Sequence, residues 1–267
     1  MCTLIILRHA HPDWPLVLAG NRDERYDRPA VGPQVLSRAP LFVGGRDLER
    51  QGTWMGVTAG GFVAALTNQR GAANLMHSPL SRGEVVLRAL EAGSREGVEH
   101  YLSGLDARGY RPFNLLYGDA TTLRVAYARP DRERVQVEDV PPGVHVLSND
   151  VLDSTTLPKV ARARQLAEGA AHQPWPETVK VLQALLSDHV LPERGPELLP
   201  EEHKSPEIRE YIRHYQALCI HTPSYGTRSS AILALAPGRV GQYLATDVAP
   251  CKAPFQDVTS LLHPGAS

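Results

Sequence analysis

Short apolar stretches cut by glycine and proline dominate the first third of the chain: CTLIILRH, PLVLAGNRDE, LFVGGRD, TWMGVT and GFVAALTN. Runs of this length, rich in β-formers and bounded by turn residues, predict a meander of paired strands. From residue 81 the period changes. SRGEVVLRALEAG and SREGVEHYLSGL place apolar residues at helical spacing behind serines, and Glu84 follows Ser81 by three positions, as in a capping box. Strand patterns return in PFNLLYGDATTLRVAYA and GVHVLSND, whereas LPKVARARQLAEGA and PETVKVLQALLSDHV predict two more helices, each with a proline near its start. GTRSSAILALAPGRVGQYLAT resumes the sheet, and the proline-rich acidic stretch 191–205 predicts a surface loop. Strands and helices in blocks, rather than in βαβ alternation, predict mostly antiparallel sheets covered by helices. With no linker and no internal repeat, the chain is expected to form one domain over residues 1–267.

Composition narrows the partners. Lys plus Arg total 28 against 29 for Asp plus Glu, so no charge excess draws the chain to nucleic acid or anionic lipid. No apolar run reaches the roughly 20 residues of a membrane span, so no membrane insertion is expected, and no phosphate-binding glycine fingerprint is present. The start, MCTLIILRHAHPDW, lacks the basic and long apolar segments of a signal peptide. Cys2, Cys219 and Cys251 are an odd number at unrelated spacings, matching neither a disulfide framework nor a zinc pattern, which fits a reducing cytoplasmic location. His9 and His11 share a strand face by alternation, but spacing places no third ligand, so neither a metal nor a cofactor is expected. Oligomeric state is not encoded in these patterns.

The candidate chemistry concentrates at the start. Initiator methionine is removed when the second residue is small, which would leave Cys2 with a thiol titrating near about 8.5 and an α-amine near about 8. Nucleophile and base would then share one residue; the alternative is a small apolar residue opening a buried strand. In LAGNRDERYDRPA, alternation sends Asn21 and Asp23 to one face and Arg22 and Glu24 to the other. Asp23 is placed to anchor the α-ammonium or orient the thiol, unless the four polar residues simply mark a strand end. Trp54 and Tyr225 are candidates for a pocket wall or for the core.

Seven motifs in order carry a resemblance: MC at the start, NRDE at 21–24, GGRD at 44–47, GTW at 52–54, TN at 67–68, LSND at 147–150 and YGTRSS at 225–230. Together they resemble the NRDE family, whose eukaryotic members are the transport and Golgi organisation 2 proteins, and that family is similar to the N-terminal nucleophile (Ntn) hydrolases. The resemblance implies an α+β fold, a four-layer αββα sandwich of two mostly antiparallel sheets between helices. Cysteine Ntn hydrolases such as bile salt hydrolase and penicillin V acylase carry an RNxD strand. GNRD here matches its asparagine with Asn21 and its aspartate with Asp23. Gly20 stands where their arginine does, and Arg22, expected on the opposite face, is not expected to replace it.

Asn68 resembles the oxyanion-hole asparagine of those enzymes, a donor type worth about 3 kcal/mol. Asn149 resembles a second asparagine beside the nucleophile, and Arg228 an arginine that lowers the thiol pKa. The resemblance thus implies an amidohydrolase that cleaves a linear carbon–nitrogen amide of a small molecule, with Cys2, Asp23, Asn68, Asn149 and Arg228 catalytic. Asn21, Arg22, Trp54 and Tyr225 would contact substrate. It also implies an alternative, a non-enzymatic carrier of haem or another small molecule, or a trafficking-associated protein, because eukaryotic members are associated with haem movement and with lipid and Golgi homeostasis. A thiol and histidines can ligate iron, although no Cys-Pro haem-regulatory dipeptide is present.

Overall fold

The computed structural model describes residues 2–70, 80–129, 131–193, 196 and 206–263. Thirteen strands lie among these residues. They are β1 (Cys2–Arg8), β2 (Leu16–Arg25), β3 (Ala30–Arg38), β4 (Leu41–Asp47), β5 (Met55–Thr58), β6 (Val63–Asn68), β7 (Phe113–Gly118), β8 (Leu123–Ala128), β9 (Gln136–Asp139), β10 (Gly143–Leu147), β11 (Tyr225–Ala236), β12 (Arg239–Thr246) and β13 (Gln256–Asp257). Two sheets result. One runs β10-β1-β2-β11-β12-β13; the other keeps chain order from β3 to β9, and every described ladder is antiparallel. The meander read from the first third of the chain is therefore split: β1 and β2 join strands from the far end of the sequence, and β3 to β6 form half of the second sheet.

Strand alternation explains how the layers stack. Leu4, Ile6, Leu16, Leu18, Leu233 and Leu235 face Val43, Val57, Val63, Leu116 and Val125 in a core between the sheets. Their neighbours Ile5, Leu7, Val17, Ala19 and Ile232 face outward and pack on helices α3 (Pro158–Ala171) and α4 (Trp175–Leu186). On the far side, Phe42, Ala64, Leu66, Phe113 and Leu115 are covered by α1 (Arg82–Ala92) and α2 (Arg95–Ser103) through Val85, Val86, Leu90, Val98 and Leu102. Helix, sheet, sheet and helix make the four layers of an αββα sandwich. Each fully buried Leu, Ile, Val or Phe contributes about 1.5–3 kcal/mol, so the three apolar layers are the main source of stability. A further helix, α5 (Pro206–His214), lies within sequence that carried no helical expectation, and most of the expected loop 191–205 falls outside the described residues. Among the described residues no helix is long and apolar enough to cross a membrane.

Local signals hold with one exception. Ser94 caps α2 by accepting from Gly97 N–H, and Gly93 ends α1 at φ +58°, a left-handed conformation that glycine adopts without a Cβ penalty. The capping box at Ser81 is not made: its side chain caps nothing, and the Glu84 carboxylate accepts from Arg88 one turn on instead.

Candidate active site

β2 and β11 run past the apolar part of their sheet, so their inner halves are core while the segments around 21–25 and 225–230 are polar. These polar ends, with Cys2, form one wall of a cavity of about 850 Å³. The other wall comes from the second sheet and its loops, including Asp47, Trp54, Asn68, Arg82 and Arg111. Cys2 pairs with Arg22 across β1 and β2, and by alternation both share the intersheet face with Leu4 and Ile6. The thiol is nearly sealed, at 7% exposure, and burial raises its pKa. The Asp23 carboxylate adds to that rise, while the Asp23 backbone N–H and the Arg22 guanidinium oppose it. Ser148 Oγ donates to the Cys2 carbonyl at 3.3 Å.

Asp23 lies on the helix-facing side of β2, opposite Thr227 of β11. Thr227 Oγ1 donates to Asp23 Oδ1 at 2.6 Å and accepts from the Ile220 N–H at 2.9 Å. Tyr225 OH donates to the Asp23 carbonyl at 2.7 Å. Burial pushes the Asp23 carboxyl up; Lys159 of α3, the Thr227 hydroxyl and Arg22 each hold it down. Tyr225, also among the cavity-lining residues, has its phenol raised by burial and by Asp23.

Two expectations about β2 need correction. Gly20 and Arg22 are two residues apart, so they share a face, and Arg22 rather than Gly20 carries a guanidinium to the Cys2 side. A Cβ at Gly20 would lie 2.6 Å from Leu4 Cδ2, 3.2 Å from the Thr3 carbonyl and 3.5 Å from Trp54 Cη2, which leaves no room there for a longer side chain. Arg22 Nη2 donates to Asp47 Oδ2 at 3.1 Å, whereas its Nη1 is buried without a hydrogen-bond partner among the described residues. Asn21 points the other way. Its Nδ2 donates to the carbonyls of Leu186 and Leu218, both at 2.8 Å, and its Oδ1 accepts from Ser230, so it ties the sheet to the end of α4 and does not line the cavity.

Asn68 ends β6 at the cavity, and its carbonyl accepts from Asn149 Nδ2 at 2.8 Å. Asn149 is itself sealed, with Oδ1 accepting from Lys159 Nζ at 3.2 Å and from Ser148 Oγ, so it holds Asn68 from behind and has no cavity surface. Arg228 occupies the extra position of a β-bulge, since Thr227 pairs with Asp23 and Ser229 with Arg22. Its Nη1 donates to the carbonyls of Arg25, Tyr26 and Arg28, which ties it to the turn after β2, and it lines the cavity with Cys2; Arg22 is a guanidinium that lowers the thiol pKa. Trp54 lies partly buried against the intersheet core and also lines the cavity.

The site contains residues that no motif singled out. Lys159 is 1% exposed, and burial lowers its pKa against the attraction of Asp23 and Cys2. Its signal was position: it lies four and eight residues before Ala163 and Ala167, on the buried stripe of α3. Arg82, at the start of α1, is brought down to about 10 by burial and by the neighbouring Arg111. His9 and His11 do not share a strand face, because β1 ends at Arg8 and His9 turns into the left-handed region at φ +49°; His11 Nε2 instead contacts Thr178 Oγ1 of α4.

Comparison with known proteins agrees with this architecture. The chain is similar to the transport and Golgi organization protein 2 homolog of Bos taurus, 33% identical over 236 residues, covering 82% of this chain and 81% of that protein. The Homo sapiens homolog is 30% identical over 227 residues with the same coverage. Among solved structures, the fold resembles the Caenorhabditis elegans ortholog of N-acylethanolamine-hydrolyzing acid amidase, with TM-score 0.54 and 13% identity over 89% of this chain and 93% of that one. It also resembles the C2A mutant of conjugated bile acid hydrolase from Clostridium perfringens, with TM-score 0.54 and 12% identity over 96% of both chains. Another variant of that hydrolase gives 0.58 and 13%, over 97% and 92%. At these identities the likeness is one of fold, the Ntn-hydrolase-like sandwich. The family model for transport and Golgi organisation 2 matches residues 1–244, and the chain belongs to that family.

Proposed function

We propose that the cavity hydrolyses a linear carbon–nitrogen amide of a small molecule, with Cys2 as nucleophile once methionine 1 has been removed. The observation that carries this reading is the placement of Cys2: a thiol on a cavity wall, in register with a guanidinium whose Nη1 has no partner among the described residues. The freed α-amine takes the thiol proton, and the thiolate attacks the amide carbon. Arg22 Nη1 and the Asn68 side chain donate to the oxyanion as the carbonyl becomes tetrahedral. The α-ammonium then returns its proton to the departing amine, leaving a thioester that water hydrolyses to the acid and the free thiol. Asp23, held by Thr227 and Lys159, positions the terminal amine, and Asn149 positions Asn68. Arg82 and Arg111 on the facing wall suit a substrate with an anionic group.

The test combines intact mass, a thiol-reactive probe and an acyl-amide panel. The reading expects methionine 1 absent, Cys2 labelled, and turnover abolished by Cys2→Ala. Retention of methionine 1 in the native protein, or turnover equal in wild type and Cys2→Ala, overturns it.

One observation favours the second reading, a carrier of haem or another small molecule with no chemistry: burial raises the pKa of the Cys2 thiol, which disfavours the attacking thiolate. A haem titration separates the two. A Soret shift lost in Cys2→Ala supports carriage, and an unchanged spectrum beside amide turnover supports hydrolysis.

A further inference from the structure

Outside the cavity, three stretches distant in sequence bring four ligating side chains together: His189 after α4, Cys219 and His221 before β11, and Cys251 after β12. Their ligand atoms all lie within 4.8 Å of one another. Cys219 Sγ is 3.8 Å from Cys251 Sγ and 3.7 Å from His221 Nε2, and His221 Nε2 is 3.2 Å from Cys251 Sγ. A tetrahedral zinc with bonds of about 2.3 Å to sulfur and about 2.0–2.1 Å to nitrogen has ligand-to-ligand edges of roughly 3.3–3.8 Å, close to these three separations of 3.2, 3.7 and 3.8 Å.

The histidines are held as metal ligands are. The ring of His189 places Nδ1 3.0 Å from the Cys219 carbonyl, where it donates, and that leaves Nε2 for a cation. The His221 Nδ1 meets the Tyr26 hydroxyl at 3.5 Å while its Nε2 faces the two sulfurs. A second ring nitrogen anchored by an oxygen is the usual support of a metal-bound histidine. The anchoring carbonyl here belongs to one of the four residues themselves.

We propose that His189, Cys219, His221 and Cys251 form a structural zinc site. Four protein ligands leave no open position, which separates a structural site from a catalytic one. The proton balance is simple: the cation displaces one proton from each thiol, and two thiolates cancel its two charges. The neutral complex tolerates Lys252 next to Cys251. Because both thiols must lose their protons to bind, zinc uptake releases protons and weakens in acid.

The site joins three segments from different parts of the fold. Cys219 N–H donates to the Asp188 carbonyl at 2.8 Å, so the segment leaving α4 already runs beside 219, and the cation fastens the turn carrying Cys251 to both. The next residue, Ile220, donates its N–H to Thr227 Oγ1, which in turn donates to Asp23. Zinc therefore braces, through two hydrogen bonds, the carboxylate beside Cys2.

The experiment is metal analysis of the full-length protein expressed with zinc and purified under reducing conditions, then dialysed against a weak chelator. Wild type and Cys2→Ala should each retain one zinc per chain. Cys251→Ser and His189→Ala change exposed residues and leave the core intact; their retained zinc should fall at least about tenfold. Stripping zinc with a strong chelator should lower Tm in wild type and leave Cys251→Ser unmoved. Two results overturn the proposal: a reduced wild-type protein that takes up no zinc on titration, or zinc retention equal in wild type and Cys251→Ser. A Cys219–Cys251 disulfide in freshly isolated native protein, seen as an intact mass two hydrogens lighter, does the same.

Discussion

Arg22 and Cys2 are cross-strand partners on the intersheet face of β1 and β2, and the guanidinium charge lowers the pKa of a thiol that burial raises. Replacing Arg22 by Met keeps much of the side-chain bulk and removes the charge. The pH at which Cys2 is half-labelled by an alkylating reagent, followed on its own peptide by mass spectrometry, should therefore move upward in Arg22→Met. An unchanged midpoint would show that the pair is not electrostatically coupled.

Asp47 holds that arginine in place. Its Oδ2 accepts from Arg22 at 3.1 Å and from Arg28 at 2.6 Å, and its Oδ1 accepts from the Glu49 and Arg50 N–H groups. Burial would raise the Asp47 carboxyl, but the Arg28 hydrogen bond and the nearby charges outweigh it, so its pKa is lowered in the folded protein. A depressed carboxylate stabilises above its unfolded pKa and loses that contribution as pH falls through the folded value. Asp47→Asn should cost about 2 kcal/mol near neutrality. In urea titrations, the gap between variant and wild type should narrow steadily as the pH is taken below the ordinary aspartate range.

Thr227 is a small residue with two buried obligations, to Asp23 Oδ1 and to the Ile220 N–H. Thr227→Val keeps the shape and loses both. Leaving two buried polar partners unsatisfied should destabilise by about 1–3 kcal/mol, measured by chemical denaturation. Thr227→Ser, which restores the hydroxyl, should recover most of it. A loss in Ser larger than that in Val would place the contribution of Thr227 in its methyl instead.

Gly52 explains part of the GTW motif. A Cβ there would lie 2.6 Å from Gly83 C and 2.7 Å from Gly83 Cα, and Thr53 N–H donates to the Gly83 carbonyl at 3.2 Å. Backbone cannot rotate away as a side-chain tip can. Gly52→Ala should cost about 1–3 kcal/mol in thermal or urea unfolding. Because the contact seats the start of α1 and hence Arg82, the variant should also weaken binding of any anionic cavity ligand.

The strands and helices with a buried face were legible in the sequence. β1, β2, β6 and β11 carry continuous apolar runs because both faces are covered, and α1 to α4 show one apolar stripe each. The strands that escaped notice lie at sheet edges, β3 and β9 bounding the second sheet and the exposed β13 the first. β3 is half exposed and contains Pro33 at an irregularity in its pairing with β4, and all four residues of β9 are exposed. An edge strand pays little hydrophobic signal into its own sequence.

At the site, residue types were readable where direction was not. Alternation placed Asn21 and Asp23 together and Arg22 opposite, as found, but only the position of α4 shows that Asn21 is spent on two carbonyls. Arg228 lines the cavity with Cys2, but the bulge in β11 at that residue turns its Nη1 to the carbonyls of the turn after β2, which no strand pattern could show. The zinc candidates were invisible for a geometric reason. Cys219 and His221 are two apart, while His189 and Cys251 each lie some 30 residues from them, so no local spacing pattern links the four.

The cavity is walled by two different kinds of backbone. On the Cys2 side, the lining segments of β1, β2 and β11 belong to the same strands as the core, so any shift there must drag Leu4, Leu18 or Leu233 with it. Part of the facing side hangs on short connectors around residues 48–54, 80–83 and 111. Substitutions on those connectors can remodel what the chamber admits without disturbing the framework that holds the sulfur, which makes them the natural place for family members to diverge in ligand preference while sharing one scaffold.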